Sequence, residues 1–155
     1  EDTVKSQLES RLGNYDGSIL RTVAPVCGEV SQDEIGTAQG IWVLKSADNL
    51  YPEDVNIALV HDHVEPGYGL MSIGTSLSGS IYGYKQKFIP QGSGFTNREF
   101  SDVTADGNTY CYDLSMSGVV LVKMNSADEL EMDYQASASC TDNYSLSSAK
   151  VTYIR

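Results

Sequence analysis

From Gly40 to the C-terminus, apolar and polar residues alternate in about nine short segments, each closed by a turn cluster, with no segment of helical period between them. Alternation of period two puts one side of a segment against a core and the other in water, which is the mark of β-strands. The expected strands are Ile41–Leu44, Val55–Val64, Met71–Leu77, Ser80–Ile89, Arg98–Thr104, Thr109–Leu114, Val119–Met124, Leu130–Ala138 and Lys150–Ile154. In the segment from Leu130, Leu130, Met132, Tyr134, Ala136 and Ala138 share one face, and Glu131, Asp133, Gln135 and Ser137 share the other, so one face is expected buried and one wet. Val119–Met124 is apolar on both faces apart from Lys123 and reads as a central strand. Asp106-Gly107 supplies the backbone angles of a tight hairpin between the two segments that flank it.

Before Gly40 the pattern changes. Val4, Leu8 and Leu12 recur at i, i+4 and i+8, with Asp2 or Thr3 as a cap and Gly13 just past the end, which predicts one short helix over Thr3–Leu12. Asn14–Ala38 has weak periodicity and contains Pro25, Cys27 and Gly28, as an irregular lead-in would. The chain therefore divides into a lead-in over residues 1–38 and a β domain over residues 39–155. Connections too short for crossover helices favour an all-β antiparallel meander closing into a small barrel or a sandwich.

A chain of 155 residues fits one domain, with roughly 70% of its unfolded surface buried on folding, so a disulfide scaffold is not obligatory. The acids are spread along the chain, and the net charge of -11 repels phosphate backbones and anionic lipids. Nucleic acid is thus not an expected partner, whereas a protein or a neutral glycan is. No apolar stretch is long enough to insert in a bilayer or to serve as a signal peptide; with Glu1 in place of Met, this reads as a processed chain or an excised domain. Cys27, Cys111 and Cys140 lack metal-site spacing and, with few Lys and many Ser, Thr, Gly and Tyr, point to an oxidising, extracellular setting. One bridge leaves an odd thiol, and all three pairings are open. Cys27–Cys140 is the expected one, because it would pin the lead-in to the β domain and leave Cys111, in mid-strand, as the buried thiol.

The two histidines sit together at His61 and His63. If the strand runs on, alternation places them and Glu65 on the core-facing side with Val55, Ile57 and Leu59. Two imidazoles at i, i+2 can chelate a divalent metal, with Glu65 completing a two-histidine, one-carboxylate set. The competing reading is a partly solvated pair at a strand end before Pro66-Gly67, and no catalytic metal site or cofactor is expected. A cupin would need a third histidine, and none follows His63. Tyr82, Tyr84 and Phe88 share one strand face, where flat rings suit a sugar or a protein interface as well as a half-buried strand; Tyr110 and Tyr112 form a second such pair. No serine sits in a GxSxG elbow, and Asp102, Asp106 and Asn108 are too sparse for a calcium loop. Asn143-Tyr144-Ser145 fits the glycosylation pattern.

Gly40-Ile41-Trp42 resembles the GxW opening of lipocalins and the Gly-x-Trp first strand of avidins. In lipocalins that Trp plugs the closed end of an up-and-down barrel and a late Arg covers it; Arg155 is the only late Arg here. A second resemblance spans roughly residues 20–77, carried by Leu20-Arg21-Thr22-Val23, Gly36-Thr37-Ala38-Gln39-Gly40-Ile41-Trp42-Val43-Leu44, Ile57 to Pro66 and Ser72-Ile73-Gly74. This stretch is similar to an uncharacterised C-terminal module of bacterial extracellular proteins whose upstream part resembles lysostaphin-type zinc peptidases. The resemblance implies secretion and an accessory role. Those peptidases need an HxxxD motif besides HxH, and His61 and His63 are the only histidines, so their catalytic set cannot be assembled here.

The sequence thus predicts a secreted, non-catalytic β domain acting by binding or structural association. The runner-up is a lipocalin-like or avidin-like barrel around a small ligand, and the third reading is a metal-dependent enzyme using His61, His63 and Glu65.

Overall fold

The computed structural model describes residues 3, 19–25, 28–29, 31–47, 55–77, 85–114, 118–140 and 144–155. Eight strands run through them: β1 (Gly40–Leu44), β2 (Ile57–His61), β3 (Gly69–Ser72), β4 (Lys85–Phe88), β5 (Tyr110–Leu114), β6 (Gly118–Ser126), β7 (Glu129–Ala136) and β8 (Val151–Ile154). All pairings are antiparallel, and the strands form one sheet in the order β4-β3-β2-β1-β8-β7-β6-β5. β1 to β4 therefore pair in chain order, as do β5 to β8, and β1 joins β8, where Val43 faces Ile154. β4 and β5 stand at the two ends, so the meander curls into a half-barrel rather than a closed barrel or a two-sheet sandwich. The helix expected over Thr3–Leu12 lies, but for Thr3, outside the described residues.

The inward positions are those the alternation picks out. Trp42, Ile57, Leu59, Met71, Leu130, Met132 and Tyr153 are all at most 2% exposed, so the concave side is filled with side chains. Gly69 is needed inside it: the Phe88 ring lies where a Cβ would stand, 2.3 Å from Cζ. At one end the Trp42 indole donates to Ala38 O at 2.8 Å, and the Arg155 guanidinium lies 4.1 Å from the ring centroid. Arg155 donates further to Glu34 O and Gln39 O, tying the C-terminus to the loop ahead of β1. The Trp-and-late-Arg pairing implied by the GxW resemblance is present in this geometry.

Two expectations for residues 98–114 need correction. Arg98–Thr104 is no strand; its centre is a 3-10 turn at Phe100–Asp102, capped by the Glu99 carboxylate, which accepts from Phe100 N. The physical reason is the gap between β4 and β5. Phe100 is fully buried there, its ring centroid 5.2 Å from Phe88 on β4 and 5.1 Å from Tyr112 on β5. Asp106-Gly107 accordingly joins this turn, not a hairpin partner, to β5. The preceding loop covers the β5 edge, with Cys111 N donating to Phe95 O and Asn97 N to Cys111 O, both at 2.8 Å.

The outer faces of the sheet are treated unequally. Over β5 and β6, the segment after β7 folds back, and Ala138, Cys140, Tyr144 and Leu146 pack on Cys111, Val119 and Leu121. A disulfide joins Cys111 to Cys140, with Cα atoms 5.7 Å apart, which corrects the expected Cys27–Cys140 pairing. Cys111 points outward from β5 beneath this returning flap, so the fold itself brings Cys140 to it; Cys27 lies outside the described residues. The flap also explains why Asp133, on the face expected to be wet, is 1% exposed: it accepts from the Ser147 N–H and hydroxyl and from Gln135 Nε2.

Candidate functional site

β2 ends at His61 because the Asp62 carboxylate accepts from Val64 N at 2.9 Å and Glu65 N at 2.7 Å, which turns the chain. The strand alternation that would have aligned His61, His63 and Glu65 stops there. The His61 ring meets two acceptors: Pro66 O lies 2.8 Å from Nδ1, and a Glu99 carboxylate oxygen 3.1 Å from Nε2. Each ring nitrogen thus faces an acceptor where the β2 end meets the Phe100 turn. His63 is exposed and lies against Gly28, where a Cβ would come within 2.0 Å of its ring. Glu65 instead pairs with Lys87 at 2.9 Å. Among the described residues, no three His, Cys, Asp or Glu side chains are grouped so as to hold a metal ion.

A cleft of about 220 Å³ beside His61 is lined by Arg21, Glu29, Gln32, Gln39 and Asp62 among others. Its one guanidinium is spent on the backbone: Arg21 donates to Val23 O, Pro25 O and His63 O, holding the lead-in to the β2 end. Gln32 does the same with both amide atoms on the backbone of His61. Arg21 and Gln32 at this cleft thus serve the fold.

Lys87 bridges Asp62 and Glu65 at 3.0 and 2.9 Å and lies 5.5 Å from the Tyr68 ring centroid. Burial pushes the Asp62 pKa up, but the amide bonds from Glu65 and Val64 together with Lys87 outweigh it, and the net shift is downward. A carboxylate with a lowered folded pKa contributes stability that is present above its unfolded value, near 3.8, and is lost as pH falls through the folded one. Asp62→Asn is therefore expected to lower Tm at neutral pH and to make less difference as pH drops below about 4, in melts of both proteins across pH. An equal deficit at every pH would show that Asp62 matters only through neutral hydrogen bonds.

Of the aromatic candidates, Phe88 is a core residue: it is 7% exposed and makes edge contacts with Phe100 and Tyr112. This corrects its reading as a ligand platform. Tyr82 and Tyr84 lie outside the described residues.

Two features were missed by reading the residues alone. The first is a cleft of about 260 Å³ lined by Phe95, Gly107, Asn108, Thr109 and Tyr144. Asp106 holds the lining residue Asn108 in place, accepting from Asn108 N and Nδ2 at 2.9 Å and also from the Tyr110 hydroxyl at 2.7 Å. Burial raises the Asp106 pKa, but these bonds more than offset it and the carboxyl is held below its ordinary value. Burial and the neighbouring Asp106 push Tyr110 up to about 12. Phe95 is 48% exposed and leans on the Tyr110 ring at 5.7 Å, while the Tyr144 and Thr96 hydroxyls meet at 3.1 Å. In the sequence Gly107 marks a hairpin turn, Asn108 a rejected calcium loop, Thr109 the start of a strand and Tyr144 a glycosylation triplet, while Phe95 is not singled out.

The second is the outer face of β1–β3. Ile41, opposite Ala58, is 55% exposed; Val60 lies opposite Leu70, and Val43 opposite Ile154, itself 37% exposed. No charged residue interrupts this group. Lys85 and Lys87 on β4 stand at one margin and Glu129 and Glu131 on β7 at the other, the latter paired with Lys45 and Lys150.

Among the described residues, no helix is long and apolar enough to cross a membrane. No family model matches the chain, and neither curated proteins nor solved structures supply a match.

Proposed function

We propose that this is a secreted, non-catalytic β domain that works by association, docking the outer apolar face of β1–β3 on an apolar patch of a protein partner. The observation that carries this reading is the unequal treatment of two apolar outer faces: β5 and β6 lie under the chain's own disulfide-tied flap, whereas Ile41 on β1 and its neighbour Ile154 on β8 remain 55% and 37% exposed. Contiguous exposed apolar surface with a polar rim is a feature of interaction sites. The filled concave side supports association over a small-ligand barrel. The engagement of both His61 nitrogens supports it over metal-dependent catalysis. The disulfide is compatible with the oxidising, extracellular setting that this reading supposes.

Site-specific photo-crosslinking in the producing cells tests the proposal. A photoreactive residue at position 41 or 60 is expected to give one discrete adduct with a protein partner, and a residue at Asn125, near the end of β6, to give none. Equal labelling at all three positions, or no adduct at 41 and 60, would overturn the reading.

A further inference from the structure

We propose that the cleft between Phe95 and Tyr144 binds a neutral sugar ring, at a site separate from the docking face on β1–β3. Its lining combines the two properties a pyranose presents: an apolar C–H face, met by the exposed Phe95 ring, and a rim of hydroxyls, met by Asn108, Thr109 and Tyr144. With Asn108 Nδ2 held by Asp106, the amide oxygen remains as an acceptor for a sugar hydroxyl. The cleft, at about 260 Å³, falls below the roughly 300–1,000 Å³ of pockets for drug-sized ligands, which suits one ring or the end of a chain.

The electrostatics choose among sugars. The ionised Asp106 bonded to the lining residue Asn108 and the chain's net charge of -11 disfavour sialic acids, uronic acids and sugar phosphates. The same carboxylate does not make the cleft a cation site, because its oxygens already accept three hydrogen bonds, from Asn108 N, Asn108 Nδ2 and Tyr110 OH. The site is also well braced. The loop bearing Phe95 is hydrogen-bonded to Cys111, and Tyr144 packs on the cluster formed by Cys111, Val119 and Leu121. Both walls are thus held against the sheet around Cys111, which lowers the ordering cost of binding.

The test is saturation-transfer NMR and calorimetry on the intact chain with the methyl glycosides of glucose, galactose, mannose and N-acetylglucosamine, alongside N-acetylneuraminic acid and tetramethylammonium. At least one neutral glycoside is expected to bind with Kd of about 1 mM or tighter, its ring protons saturated from aromatic resonances. Phe95→Ala is expected to weaken binding by about tenfold or more, and Thr109→Val by a smaller factor. Ile41→Ser, on the docking face, should leave sugar binding unchanged. Retained chemical-shift dispersion of the β-strand amides in each variant separates loss of the site from loss of the fold. Failure of every neutral glycoside to bind, binding only of the anionic sugar or the ammonium ion, or full affinity in folded Phe95→Ala would each overturn the proposal.

Discussion

Phe100→Ala is expected to lower the unfolding free energy by about 3–5 kcal/mol, the range for truncating a large buried aromatic side chain. Phe100 is fully buried although it sits in a loop, and its ring lies between Phe88 and Tyr112, which belong to the strands at opposite ends of the sheet. Among the described residues β4 and β5 form no ladder, so this aromatic cluster and the edge bonds of residues 95–97 take the place of that pairing. Truncation leaves a cavity that the half-barrel closes only by drawing its ends together, and β4, held by β3 alone, is the strand expected to lose amide protection first. Urea unfolding of the variant measures the loss, and hydrogen exchange locates it. Phe95→Ala, at a half-exposed ring in the same loop, is the control and is expected to cost under about 1 kcal/mol. Similar losses in the two variants would mean that Phe100 is not the closure of the sheet.

Much of this architecture could be read from the chain because strand alternation is a local signal. β1, β6 and β7 fall within one or two residues of the segments that the pattern marks, and Leu130 and Met132 point inward as the pattern requires. What failed was non-local. Arg98–Thr104 alternates like a strand, yet Phe100 is drawn out of that conformation by a gap between two strands that the sequence does not bring together. The strand reading past His61 failed for a related reason: the Asp62 side chain captures two backbone amides and ends β2 before the alternation can reach His63. The disulfide was misread because the segment after β7 has no periodicity to show that it folds back over Val119 and Leu121. Once that return is known, the apolar outer face of β6 explains itself, and Cys111 is the partner it brings to Cys140. The candidate sites share this character. The sugar cleft joins Phe95, Asn108 and Tyr144 from three segments, and the docking face depends on β1, β2, β3 and β8 lying side by side.

The bond between Cys111 and Cys140 is where these levels meet, and its removal should have the second large effect. It closes a loop with a sequence separation of 29, for which loop-closure entropy gives about 3–4 kcal/mol in a model-dependent account. The double variant Cys111→Ala, Cys140→Ala, which leaves Cys27 alone, is therefore expected to unfold at markedly lower urea concentration with the β-sheet signature of its circular dichroism retained before the transition. The local consequence is more specific than the stability loss. Without the bond, the flap is held by Asp133 on Ser147, Gln135 on Ser145, the Tyr144–Thr96 hydroxyl contact and the packing of Tyr144 and Leu146 on Val119 and Leu121. Chymotrypsin, which cuts after aromatic residues and leucine, should then cleave after Tyr144 or Leu146 under conditions in which the oxidised chain is intact. Because Tyr144 forms one wall of the cleft, the same variant should lose affinity for a neutral glycoside while photo-crosslinking from position 60 persists. A double variant that resists chymotrypsin as well as the parent would show that packing alone holds the flap, and that the disulfide contributes only through the unfolded chain.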